Sequence, residues 1–160
     1  MFLLLCYLAP IYNKSNMTKL NPYLTFPGTA AQAIELYKKV FQTEPKTVSR
    51  FADMPESAGM PDPSPEGGKR VLHAAFQIGN DMLMLSDAPE GQDETGVMGS
   101  QTNVSIHPDS REEADRIFKE LTDGGEVTMP MADAFWGDYF GMCKDKFGIH
   151  WMINYHEEKK

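Results

Sequence analysis

The chain has 160 residues, a formal net charge of −8, 41% hydrophobic and 24% charged residues, the balance of an ordered globular protein. An acidic chain whose longest Lys/Arg grouping is a pair is not built to neutralise a phosphate backbone, so nucleic acid is excluded as a partner. Two cysteines, Cys6 and Cys143, are too few for a disulfide framework or a four-cysteine zinc site, and the expected compartment is the reducing cytoplasm.

Met1 to Leu8 is apolar but too short to span a bilayer, and no Lys or Arg precedes it as in a secretory signal. Residues 1–18 are read as a non-native or disordered extension, and no membrane is expected as a partner. Leu20 to Phe26 reads as a strand, turned by Pro27-Gly28 into a helix over Thr29 to Gln42 with apolar residues at Ala33, Leu36, Tyr37 and Val40. Thr47 to Asp53 is a second strand. Met54 to Lys69 carries four prolines and three glycines, which forbids regular structure and marks a long loop. Val71 to Ile78 and Met82 to Ser86 follow as strands joined by the turn Gly79-Asn80-Asp81.

Residues 19–88 thus form a first module and 89–101 an acidic linker. Residues 102–156 repeat the pattern, the two modules together making one domain. Asn103 to His107 is a strand and Ser110 to Asp123 a helix with Ala114, Ile117, Phe118 and Leu121 on one face. After Gly124-Gly125, strands are expected at Glu126 to Thr128, Ala134 to Lys144 and Ile149 to Tyr155. Ser110 follows Thr29 by 81 positions, as Phe118 follows Tyr37. Each helix opens with a capping-box pattern, Thr29 with Gln32 and Ser110 with Glu113, in which a hydroxyl accepts from an early helix amide. A duplicated unit has a seam, and seams are where ligands bind.

Trp136-Gly137-Asp138, Phe140-Gly141, Asp145-Lys146-Phe147-Gly148 and Trp151 resemble the vicinal oxygen chelate superfamily, within it the PhnB-like branch catalogued with glyoxalase and bleomycin-resistance proteins. Asn21-Pro22-Tyr23-Leu24, Ala33-Ile34 with Tyr37 and Phe41, and Met84-Leu85-Ser86-Asp87 fit that branch in order. The chain departs from it at Lys146, where Pro is usual, and at Tyr139, where Arg is frequent. The resemblance implies an α+β fold of paired βαβββ modules in one chain, forming a curved mixed sheet with a concave cavity, and a homodimer.

In metal-using members the concave face holds a divalent ion on His and Glu side chains from the first and last strands of each module. Strand alternation tests that carry-over. With Val104, Ile106, Trp151 and Ile153 under the helix, Asn103, Ser105, His107, His150 and Met152 turn toward the cavity. Asn103 then stands in the place of a ligand His and Met152 in that of a ligand Glu. Tyr23 and Thr25 face the cavity from the first module, Tyr23 opposite Asn103, and Met84 or Ser86 takes the remaining place. Phenol, thioether, hydroxyl and amide groups are not the imidazole and carboxylate that such an ion takes, so no metal and no cofactor are expected.

His73, His107 and His150 are either acid-base groups or hydrogen-bonded strand residues. Trp136 and Tyr139 suit a pocket wall, although their phases differ, and Met82, Met84, Met142 and Met152 suit either an adaptable apolar lining or the core. Cys143 lacks a neighbouring base, and neither a Gly-x-Ser-x-Gly elbow nor a Gly-x-Gly-x-x-Gly loop occurs. Relatives in this branch are sometimes labelled demethylubiquinone methyltransferases, but no feature here would carry out methyl transfer.

The leading expectation is a protein that binds an unknown small, largely apolar molecule without the usual metal. The alternative is a lyase, isomerase or dioxygenase of glyoxalase type, using a non-standard metal site or His107 and His150. A third is a protein-binding module with no small ligand. Whether the chain is an enzyme stays open on sequence alone.

Overall fold

The computed structural model describes residues 20–55, 63–92 and 102–157. The extension at 1–18 lies outside these, as do residues 56–62 of the long loop and 93–101 of the linker. In chain order the elements are β1 (Tyr23–Phe26), α1 (Ala30–Phe41), β2 (Thr47–Arg50), β3 (Val71–Ile78), β4 (Asp81–Asp87), β5 (Val104–Ile106), α2 (Arg111–Thr122), β6 (Glu126–Asp133), β7 (Asp138–Lys144) and β8 (His150–His156). The two helices keep the repeat to the residue, since each has 12 residues and their bounds lie 81 positions apart.

The strands form two four-stranded mixed sheets, ordered β1-β4-β3-β2 and β5-β8-β7-β6. In each, the first strand runs parallel to the last, across the helical connection, and the other pairs are antiparallel. This is the expected pair of βαβββ modules, an α+β architecture in which the sheets stay open.

Among the boundaries that differ from the sequence reading, three have a clear local reason. The second strand stops at Arg50, because Phe51–Asp53 winds into a 3-10 turn closed by the bond from the Arg50 amide to Asp53 Oδ2. β6 runs to Asp133 through Pro130, which is tolerated because β6 is an edge strand with register shifts on both sides of Met129. Ala134 to Gly137, expected in β7, instead make the turn of the β6–β7 hairpin. There Gly137 takes φ 102° and donates to the Ala134 carbonyl.

The capping boxes also resolve unequally. Ser110 Oγ accepts from the Glu113 amide at 3.1 Å, while Glu113 Oε2 reaches the Asp109 amide at 3.5 Å rather than that of Ser110. Thr29 makes no side-chain cap. The first amide of α1 donates instead to Asp87 Oδ1 at the end of β4, whose other oxygen accepts from the Val71 amide. A buried carboxylate distant in sequence thus replaces the local cap.

The helix-bearing faces of both sheets merge into one buried cluster. Leu24, Phe26, Phe76, Leu83 and Leu85 of the first sheet join Cys143, Trp151 and Ile153 of the second, with Tyr37 and Val40 of α1 and Ile117 and Leu121 of α2 between them. Tyr37 and Phe41 of α1 pack against Trp151 of the other module at ring distances of 5.6 and 5.9 Å, and Phe26 meets Phe147 edge-on. Burying such side chains stabilises by roughly 1.5–3 kcal/mol each, so the two modules are held through their helix sides.

Candidate functional site: the seam and the outer sheet faces

Register decides which candidate side chains share a face. Tyr23 pairs with Met84, Met84 with Ala75, and Thr25 with Ser86, so Tyr23, Thr25 and Met84 stand together on the face away from α1. His73 joins them, its Nδ1 lying 3.4 Å from Tyr23 Oη. In the second sheet Ser105 pairs with Met152, Met152 with Met142, and His150 with Lys144, which gathers Ser105, His150 and Met152 on the face away from α2. Asn103 and His107 flank β5, and Ser105 Oγ lies 3.2 Å from His107 Nε2.

Tyr139 is a correction. It pairs with Tyr155 on the α2 side of the sheet, its hydroxyl donates to Asp115 Oδ1 at 2.7 Å, and the Arg111 guanidinium sits 4.3 Å above its ring. Hydrogen bonding to Asp115, then burial, raises its pKa, so Tyr139 fastens α2 to β7 rather than lining a pocket. Trp136 lies in the β6–β7 turn, 52% exposed, against Phe135 and Phe140.

A groove of about 740 Å³ runs along the seam between the modules. One wall is the β3–β4 hairpin from Gln77 to Leu83, the other is β5 with His107 and Asp109, and the floor holds Phe41, Ile117 and Trp151. The apolar floor is bordered by polar side chains from both modules, among them Gln77, Asn80 and Asp81 of the hairpin and Ser105, His107 and Asp109 of the β5 wall. Arg116 is tied to the Val40 carbonyl at 2.9 Å and lies 3.6 Å from Glu113, while Ser105 and His107 form a close polar pair on the β5 wall. Of the expected site residues, only Ser105 and His107 line this groove. Sequence reasoning placed the seam but not Arg116 or Glu113, since the approach of the hairpin to β5 is a tertiary fact with no local signal.

Cys143 is buried, and burial followed by the nearby charge of Asp145 pushes its thiol up to about 12, which makes it inert as a nucleophile. Among the described residues, no group of three or more His, Cys, Asp or Glu side chains is placed to hold a metal. No helix among them is long and apolar enough to cross a membrane.

The open paired βαβββ modules are the architecture of the vicinal oxygen chelate superfamily. Within it, the sequence pattern of the family described as "3-demethylubiquinone-9 3-methyltransferase" matches residues 18–154, and the chain belongs to that family, the PhnB-like branch. It is 34% identical over 143 residues to "Protein YjdN" of Escherichia coli strain K12, covering 84% of this chain and 93% of that protein. The crystal structure of protein PA1353 from Pseudomonas aeruginosa superimposes with a TM-score of 0.76 at 32% identity, covering 89% of this chain and all of that one. A Bacillus cereus structure named as a putative 3-demethylubiquinone-9 3-methyltransferase, PhnB protein, shares the fold with a TM-score of 0.66 at 23% identity, covering 86% and 99% of the two chains.

Proposed function

We propose that this chain binds a small, largely apolar molecule in the seam groove, without the divalent metal used elsewhere in the superfamily. The observation that carries this reading is the groove itself. About 740 Å³ lies within the range of ligand sites, which are mostly apolar with a few polar groups that fix orientation. Ser105 and His107 are among those polar groups here, with Asp81 and Asp109 on the facing and adjoining walls. The reading includes a homodimer, consistent with the exposed Val48, Val127 and Met129 on the edge strands β2 and β6, and a cytoplasmic location.

A panel of aromatic and aliphatic ligands screened by thermal shift tests it, with Met82→Trp to fill the groove. A ligand that raises the melting temperature of the wild type is expected to lose at least about tenfold in affinity in the variant, ~1.4 kcal/mol. A panel with no binder, or binding unchanged in Met82→Trp, overturns the assignment. Metal analysis of untagged protein is expected to find no stoichiometric ion, light scattering after size exclusion a dimer, and cell fractionation the protein in the cytoplasm.

The glyoxalase-type enzyme is the second reading, and the Ser105–His107 contact of 3.2 Å favours it, because a hydroxyl at Nε2 would fix the ring as an acid-base group. A bound ligand converted by the wild type, but bound and left unchanged by His107→Ala, would establish it.

A further inference from the structure

β8 extends one residue beyond the sequence reading, to His156, and that residue continues the phase of His150, Met152 and Asn154. It pairs with Asp138, the first residue of β7, while Asn154 pairs with Phe140. His156 Nδ1 lies 2.5 Å from Asp138 Oδ1, and Asn154 Nδ2 donates to Asp138 Oδ2 at 2.9 Å. Hydrogen bonds from His156, then Asn154, and more weakly from the Trp136 side chain, hold the Asp138 carboxyl below its ordinary value. Asp138 is therefore an anion with acceptors only, and the imidazole nitrogen facing it must carry the proton.

The consequence falls on the other nitrogen. In neutral His156 the lone pair is left at Nε2, and the side chain is 69% exposed while that of Asp138 is only 17% exposed. The carboxylate is thus sheltered behind the ring it orients, and the basic atom stands outward. An aromatic surface stands at the same end of β7, since Trp136, two residues before Asp138, is 52% exposed and packs edge-on against Phe135 at 4.9 Å and Phe140 at 5.5 Å. An oriented base next to an exposed indole suits a flat substrate that stacks while giving up a proton.

We propose that His156, positioned by Asp138 and flanked by Trp136, is a general-base site for planar aromatic carbon acids, separate from the seam groove. In the step, Nε2 takes a proton from a substrate C–H bond. The C–H electron pair becomes a new π bond within the substrate, and a leaving group on the adjacent atom departs with the pair of the bond that breaks. Asp138 faces the imidazolium so formed, which then returns its proton to water. No redox partner or co-reactant is required.

The probe is 5-nitrobenzisoxazole. Removal of its ring C–H proton turns C=N into a nitrile, breaks the N–O bond and leaves a coloured cyanonitrophenolate. The wild type is expected to exceed an equal concentration of free imidazole by more than about tenfold in rate, the low side of positioned acid-base catalysis. His156→Gln keeps a donor toward Asp138 and removes the base, so it is expected to fold normally and fall to the background rate. Trp136→Ala should raise KM more than it lowers kcat. Asp138→Asn should lower kcat and move the His156 ¹⁵N shifts away from the Nδ1–H tautomer, a readout that a merely structural carboxylate would leave unchanged. A wild-type rate no greater than that of imidazole, or a His156→Gln protein as active as wild type, overturns the proposal.

Discussion

Tyr37 Oη donates a 2.8 Å hydrogen bond to Oδ2 of Asp145, 108 residues away in the other module. The same oxygen accepts from Trp151 Nε1 at 2.9 Å, and Oδ1 accepts from the amides of Phe147 and Ile149. Asp145 is 1% exposed, and its four donors let a carboxylate sit in the core between the modules. Tyr37→Phe should cost about 1.5–3 kcal/mol, the range for a hydrogen bond to a charged group. Asp145→Ala should cost more than about 3 kcal/mol, because it strands three buried donors and a fourth that is partly buried. Urea unfolding of both variants, with Trp151→Phe to complete a double-mutant cycle, measures the coupling.

The unequal helix caps make a contrast that propensity alone would not. Ser110→Ala removes a bond that is made and should cost about 1 kcal/mol. Thr29→Ala removes one that is not and should be nearly neutral. Asp87→Ala should exceed both, since it leaves the Ala30 and Val71 amides without the acceptor they share. Thermal midpoints of the three variants decide the order.

These two cases show what the sequence could and could not display. The repeat, the apolar helix faces and the strand phases are local periodicities, so the modules and the sides taken by Tyr23, Thr25, Ser105 and Met152 were legible. Asp87 and Asp145 were not, because a carboxylate that caps a helix or bonds a tyrosine in another module depends on which turns meet. Tyr139 was assigned to a pocket by residue type, and its phase opposite Trp136 was the signal that it faces α2. His156 was overlooked because the last strand was ended at Tyr155, although a step of two from Asn154 reaches it.

The alkaline limb of stability follows from two buried groups. Cys143, raised to about 12 mainly by burial, contributes stability that is whole below its unfolded value near ~8.5 and is lost as pH rises from there toward the folded value. Tyr37, raised mainly by burial and then by the charge of Asp145, adds a second loss that starts near ~10. In a Cys6→Ser background, stability measured by urea unfolding should therefore fall above pH ~8.5 by up to ~1.4 kcal/mol per unit and more steeply above ~10. Cys143→Ala should remove the first segment and keep the second. A slope between those two values that is unchanged in Cys143→Ala would show that another group governs it.

Two glycines on the second module should respond differently to the same added methyl group. A Cβ at Gly125 would run into the Lys144 carbonyl oxygen, with Asp145 Cα and the Leu121 carbonyl oxygen each at 3.0 Å, all backbone of the segments joined where α2 ends. None of these can rotate away, and any shift would disturb the turn that presents Asp145 to Tyr37. Gly125→Ala should cost at the upper end of the ~1–3 kcal/mol range of overpacking and weaken the coupling between the modules. A Cβ at Gly141 would lie 3.1 Å from one backbone atom, the Met131 nitrogen, and would chiefly meet the thioether of Met131 on the edge strand β6, a side chain with three rotatable bonds that can swing aside. Gly141→Ala should therefore cost less, and the difference in urea midpoint between the two variants, with equal slopes, measures the rigidity of the seam at Asp145.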